Sequence, residues 1–383
     1  MLVVAGFHRR HFFIIDVNTR KELFSTETGG AHRFWKLRFF SDNSFVFCFI
    51  RLGQVYSARK GDIYQGNSRI IKNALHSDTI RAIAHLDKDV FVTGAEDGHL
   101  KVIMISKDQL SVLETINTQQ SDVKCIGKRG DIVVSAGSNG QVKLWRINNP
   151  TTWLTPIELS DQLILSAGVR VMDIAVIADD IIAAAYSDSF IRLFRINKKP
   201  VGLAVHKGHC VLKLHVVTQS DDSLFIISTG TDGILAICRY ENDLLMPLDR
   251  YQLHQSGINA MAIRENLVLT GGDDGAVIIS QLSSPNAIRE ELSINILASY
   301  QEAHHSTVTG FVWLDRSRFV SASVDQRLFL WEYVDYEHSP QLIRMAHIVT
   351  QVADISSLSI HNNDTLIIVG SGLECIPLSQ LLS

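Results

Sequence analysis

Three residues near the end of the chain, His304, Ser321 and Asp325, are of the types that make a base, a nucleophile and the carboxylate that orients the base. The set is repeated. His254 is followed by Thr270 and Asp274, and His76 by Thr93 and Asp97. From histidine to hydroxyl residue the chain runs 17, 16 and 17 positions in the copies at 76, 254 and 304, and the aspartate lies four further on. A catalytic triad is built once in a chain. A polar network that braces a repeated unit recurs with the unit, because buried polar groups must find partners inside the protein. The period therefore assigns all of these residues to structure and none to catalysis. In the last copy Trp331 joins the set, and Trp145 and Phe194 stand at the same offset in two others.

Other chemistry is scarce. The chain holds no Gly-rich phosphate loop, H-E-x-x-H, nucleophile elbow or paired-carboxylate motif, so a non-enzymatic protein without a cofactor is expected. An active site in a central channel would need converging ionisable residues, and no motif suggests them. His8-Arg9-Arg10-His11 and His304-His305 lack further ligands at metal spacing, and neighbouring side chains of a strand point to opposite faces. No metal is expected there.

One segment, His32-Arg33-Phe34-Trp35-Lys36-Leu37-Arg38, interleaves basic and aromatic residues, the combination that stacks bases and holds phosphates. It makes His32, Arg33, Trp35, Lys36 and Arg38 candidates for contact with RNA or a protein partner, with His8, Arg9 and Arg10 extending the patch. The competing reading packs Phe34 and Trp35 inside and leaves the cations solvated. Arg327 is a further candidate partner contact, because Asp325-Gln326-Arg327 projects from a hairpin tip and Arg is favoured at interfaces.

The elements that carry these residues are strands. Apolar runs rich in Val, Ile and Phe are split by small-residue turns: Thr93-Gly-Ala-Glu-Asp-Gly98, Ser135-Ala-Gly-Ser-Asn-Gly140, Ser228-Thr-Gly-Thr-Asp-Gly233, Thr270-Gly-Gly-Asp-Asp-Gly275 and Ser321-Ala-Ser-Val-Asp-Gln326, with a degenerate copy at Ala185–Ser189. Asp-Gly or Asn-Gly between apolar runs is a strong hairpin signal. The turn markers at 98, 140, 189, 233, 275, 326 and 372 are 42, 49, 44, 42, 51 and 46 residues apart, and weaker copies lie upstream at Gly53 and near Arg9. Such a period, at four strands each, predicts an all-β WD-repeat β-propeller. Seven blades over residues 61–383 fit the markers, with residues 1–60 forming extra WD-like hairpins, the remnant of a preceding propeller; eight or nine blades stay open. Short helical turns are expected only at Pro285–Ile296 and Leu378–Leu382.

Composition sets the class. At 383 residues and 46% hydrophobic the chain can bury a large core, which excludes disorder. Thirty-six Lys plus Arg against 40 Asp plus Glu exclude a general polyanion binder, so any nucleic-acid contact must be a local patch. Five unpatterned cysteines read as reduced thiols, and neither a membrane span nor a signal peptide is present in the sequence. The expectation is a soluble, cytoplasmic protein with no membrane contact.

Several motifs exceed a generic WD repeat: Gly29-Gly-Ala-His-Arg-Phe-Trp35, His254-Gln-Ser-Gly-Ile-Asn-Ala260, Gly271-Gly-Asp-Asp-Gly275, Ala303-His-His-Ser-Thr-Val-Thr-Gly310 and Ser321-Ala-Ser-Val-Asp-Gln-Arg327. In order and spacing they resemble the C-terminal propeller region of the WD-repeat protein six family, the WD-repeat partners of the tRNA wobble-nucleotide ribose 2′-O-methyltransferase. The resemblance implies a non-catalytic scaffold that binds that methyltransferase and directs it to the wobble nucleotide of certain tRNAs, the S-adenosylmethionine belonging to the enzyme. It also implies further propellers N-terminal to this region. The alternative is a WD-repeat adaptor of another assembly, such as a ubiquitin-ligase substrate receptor; against it, no blade ends in Trp-Asp-x-Arg.

Overall fold

The computed structural model describes the chain except for residues 1–2, 9–10, 18–21, 29, 32–33, 42–43, 52–53, 61–69, 73–74, 107–108, 149–151, 159–167, 179, 196–197, 220–222, 284–291, 337–338 and 383. Two three-stranded sheets come first: β1 (Val3–His8), β2 (His11–Asp16) and β3 (Glu22–Glu27), then β4 (Trp35–Phe39), β5 (Phe45–Arg51) and β6 (Gln54–Lys60). Their shared core is Phe12, Ile14, Leu23, Phe45, Phe47 and Phe49. The rings of Phe12 and Phe47 stack at 3.8 Å. A short strand, β7 (Ile70–Lys72), follows.

Seven four-stranded antiparallel blades make up the rest. The first is β8 (Ile80–Asp87), β9 (Val90–Ala95), β10 (His99–Ser106) and β11 (Gln109–Asn117); the second is β12 (Cys125–Arg129), β13 (Ile132–Ala136), β14 (Val142–Ile147) and β15 (Leu154–Ile157). The third is β16 (Val171–Ala178), β17 (Ile181–Tyr186), β18 (Phe190–Arg195) and β19 (Lys198–Ala204). The fourth is β20 (Val211–Thr218), β21 (Leu224–Gly230), β22 (Ile234–Glu241) and β23 (Leu244–Gln252). The fifth is β24 (Ile258–Arg264), β25 (Leu267–Gly272), β26 (Val277–Ser283) and β27 (Ser293–Tyr300); the sixth is β28 (Val308–Trp313), β29 (Arg318–Ser323), β30 (Arg327–Tyr336) and β31 (Ser339–Val349). The seventh combines β32 (Ser357–His361), β33 (Thr365–Gly370) and β34 (Gly372–Pro377) with the distant β7, which supplies the outer strand.

First strands of successive blades pack side by side, and β32 returns to β8, so the blades close a ring. The second strand of each blade lies between neighbouring sheets, which is why β9, β13 and β17 are buried along their whole length, while the rim strand β11 is largely exposed. The cores sit between blades. Val134 and Leu144 pack with Val171, Ile182 and Tyr186 of the next blade. Closure is secured three ways. Ile80, Phe91 and Ile103 meet Ile367, Val369 and Leu373, β7 pairs with β34 in the register Ile71↔Glu374, and His361 Nε2 lies 2.7 Å from Asp89 Oδ1.

The hairpin turns explain the Asp-Gly signal. Gly98, Gly140, Gly233 and Gly275 all take φ between 71° and 74°, a region that costs glycine nothing. Ser189 (79°) and Gln326 (63°) hold the same position without that freedom.

One helical expectation is corrected. Ser293–Ile296 belong to β27, paired with β26, because Leu292 and Ile294 bury against the fourth-blade core; residues 284–291 lie outside the described residues. The turn at the other expected position is the four-residue α1 (Ser379–Leu382). The cysteines are all free, and burial pushes the thiols of Cys238 and Cys375 up to about 12.

Candidate functional site

The recurring polar residues meet in space. In the sixth blade His304 Nδ1 lies 3.3 Å from both oxygens of Asp325, and its Nε2 lies 2.7 Å from Ser321 Oγ. Trp331 Nε1 donates to the same hydroxyl at 2.8 Å. The indole is only a donor and the carboxylate only an acceptor, so Nδ1 carries the proton and the Ser321 hydroxyl donates to Nε2. His254 with Asp274 and Thr270, and His76 with Asp97 and Thr93, repeat the arrangement at 2.9–3.1 Å. Each histidine precedes a first strand, each hydroxyl lies on a second strand, and each aspartate sits in the turn that follows. Every network thus staples three segments of one blade. Ser321, Thr270 and Thr93 are fully buried, so none of these hydroxyls can meet a substrate.

Burial lowers the pKa of His304, His76 and His206 more than the facing aspartate raises it, which keeps the rings neutral. Burial also works against ionisation of Asp325, but the polar Nδ1–H of His304 and the amides of His305 and Arg327 outweigh it, and its carboxyl is held below the usual range.

Four further networks carry no spacing signal in the sequence. His206 binds Asp232 at 3.0 Å and Ser228 at 3.1 Å. Its distance to the hydroxyl is 22 residues, because the lead-in to β20, both strands of that hairpin and the connection between them are all longer than in the fifth blade. The spacing rule therefore passed over it, although Ser228 and Asp232 kept theirs. In the second blade Gln120 replaces histidine: its Oε1 accepts from Ser135 Oγ at 2.9 Å, and Trp145 Nε1 donates to that hydroxyl at 2.9 Å. The third blade uses Tyr186, whose hydroxyl donates to Gly140 O, with Arg192 4.4 Å above its ring. In the seventh, buried Glu374 accepts from Thr350 Oγ1 at 2.5 Å and from the Gln351 amide at 2.8 Å.

The basic and aromatic residues divide. His32 and Arg33, with Arg9 and Arg10, lie outside the described residues. Trp35, Lys36 and Arg38 all lie on β4, but alternation sends them to two faces. Trp35 packs 5.2 Å from Phe7 and 6.0 Å from Phe12, on the core side. Lys36 and Arg38 are exposed on the other side. His8, exposed on β1, has its ring 6.5 Å from that of Phe13. Arg327 is elsewhere: its guanidinium reaches His11 of β2 at 3.1 Å, joining the sixth blade to the N-terminal sheets. Among the described residues no group of three or more His, Cys, Asp or Glu is placed to hold a metal, and no helix is long and apolar enough to cross a membrane.

A ring of four-stranded blades, four of them stapled through a loop, a second strand and a turn, is a WD-repeat β-propeller. The family described as WD domain, G-beta repeat matches residues 110–146 and 295–332, the two stretches that run to Trp145 and Trp331. Over most of its length the chain is also similar to the tRNA (34-2′-O)-methyltransferase regulator WDR6. The Bos taurus protein is 23% identical over 453 residues, which take in 86% of this chain and 40% of that protein. The Mus musculus protein is 23% identical over 503 residues, 97% of this chain and 44% of that one. The chain thus spans less than half the length of the curated relatives it matches. Among solved structures, the RRP9 WD40 repeats superpose with a TM-score of 0.63 at 17% identity, covering 81% of this chain and 97% of that one, a likeness of fold alone.

Proposed function

We propose that the chain is a non-catalytic WD-repeat subunit that binds a tRNA ribose 2′-O-methyltransferase in the cytoplasm and directs it to the wobble nucleotide. The observation that carries this reading is the likeness of 86–97% of the chain to proteins named as regulators of that methylation. The internal chemistry agrees with a scaffold. The hydroxyl, imidazole and carboxylate groups of the kinds that build active sites are committed to one another inside blades. Methyl transfer and its donor belong to the partner enzyme, and contact with tRNA falls to the basic residues of β4.

The test is affinity capture of the tagged chain from its own cells, with mass spectrometry of bound proteins and measurement of wobble 2′-O-methylation after deletion. Recovery of a ribose methyltransferase and loss of the methyl mark are expected. Recovery of ubiquitin-ligase subunits with intact methylation would overturn the reading in favour of an adaptor.

A further inference from the structure

We infer that the solvent face of the β4–β5–β6 sheet binds single-stranded RNA, with Phe34 and Phe40 as stacking platforms and Lys36 and Arg38 as phosphate contacts. The inference rests on the tRNA part of the proposed function and names the ligand chemistry and the residues.

The register builds the face. Trp35, Leu37 and Phe39 stand opposite Phe49, Phe47 and Phe45, and these turn inward onto the aromatic core shared with β1–β3. The alternate positions turn outward. Phe34, whose carbonyl accepts from the Ile50 amide, begins a row with Ile50 and Val55. Lys36, Cys48 and Ser57 form the next row, then Arg38 and Val46. Phe40 closes the face, its amide bonded to Ser44 O. Phe34 is 82% exposed and Val55 74%. The Arg38 guanidinium lies 5.4 Å from the Phe40 ring centre.

Two features select the ligand. Among the described residues of this face none is acidic, in a chain whose net charge is −4. Against that negative background, cations gathered on one face mark a site for a polyanion. Open aromatic rings beside those cations add what a duplex cannot use, since its bases are already stacked on each other. An unpaired strand can lay a base on each ring and a phosphate on each cation. A protein sheet laid on the same face would have to bring carboxylates of its own to Lys36 and Arg38, whose burial unpaired is unfavourable. Trp35, on the inner face with 45% of its surface exposed, supports the sheet and does not stack bases.

The experiment is fluorescence anisotropy of the full chain with a labelled oligouridylate and with a duplex of equal length, over a salt series. The single strand is expected to bind about 10-fold more tightly or better. Phe34→Ala and Phe40→Ala should each weaken it about 5-fold or more. The double variant Lys36→Gln/Arg38→Gln should lower the salt slope by about 1.4, the share of two single-strand phosphate contacts. Trp35→Phe should leave both quantities unchanged. Absence of binding, equal binding of duplex, or indifference to these variants would overturn the inference. So would capture by anionic phospholipid vesicles in place of RNA, or a dimer in solution that Phe34→Ala dissociates. Methyltransferase capture separates the two claims: a chain that holds the enzyme but not the oligonucleotide defeats only this site.

Discussion

Arg327 Nη2 lies 3.1 Å from His11 Nδ1, so the ring and the N-terminal sheets meet through a donor that can never become an acceptor. His11 must therefore present a lone pair at Nδ1, and it does so while buried, with the His347 ring 5.7 Å away. Arg327→Ala is expected to speed amide exchange in β2 by about 10-fold to 150-fold, in keeping with the roughly 1.5–3 kcal/mol of a hydrogen bond to a charged group. Exchange in β29 and β30 should hold steady. Equal acceleration in both regions would show that the substitution unfolds the sixth blade instead of loosening the contact.

The Trp331–Ser321–His304 chain makes a sharp stability prediction. Ser321→Ala leaves an indole N–H and an imidazole nitrogen buried with nothing to bond, at about 1–3 kcal/mol for each unsatisfied group. A loss of about 3 kcal/mol should appear as a lower urea midpoint at unchanged slope. Thr270→Val, which strands only His254 Nε2, should cost about half as much.

Native Gln120 shows which substitution a network tolerates. An amide oxygen there accepts the Ser135 hydroxyl as an imidazole nitrogen does elsewhere. His304→Gln should accordingly lose less stability than His304→Leu, by about 1–2 kcal/mol, in the same urea titration.

The turns predict opposite outcomes for two positions of the same kind. Gly275 has φ 71°, and a Cβ placed on it would stand 2.3 Å from His304 O. Gly275→Ala must move that loop as well as strain the backbone, and a loss above about 2 kcal/mol is expected. Gln326 already bears a side chain at φ 63°. Gln326→Gly removes that strain, and thermal unfolding should show no loss of stability, or a gain of up to about 1 kcal/mol.

Acid should weaken the ring in two stages. His76, His206 and His304 have folded pKa values below the ordinary 6.5, so the unfolded chain binds more protons and stability falls as pH drops through about 6.5. Asp97, Asp274 and Asp325 are held below 3.8, so their contribution is present above that value and is lost as pH falls through their folded pKa. Both signs agree. Urea midpoints should be flat above pH 7 and decline below 6.5, and His304→Gln should make the first decline shallower.

The propeller was legible because its signals are local. An Asp-Gly turn needs positive φ wherever it stands, and a blade bounded by such turns repeats its hydrogen-bonding residues at nearly constant distance. His76, His254 and His304 follow that constancy, and His206 departs from it because its lead-in, its strands and their connection are all longer. Gln120 escaped because an amide carries no signature when it stands in for imidazole.

What the sequence by itself determined is therefore the all-β class, the period and the structural role of the His-Ser/Thr-Asp sets, all consequences of short-range backbone chemistry and of the rule that buried polar groups pair. Tertiary structure alone decided which chain segment completes which sheet. Ile70–Lys72 follows β6 in sequence yet pairs with β34, some 300 residues away. It also brought Arg327 to His11 and sorted Trp35 from Lys36 and Arg38. Such outcomes depend on which surfaces meet across the molecule, and no local pattern of residues encodes that.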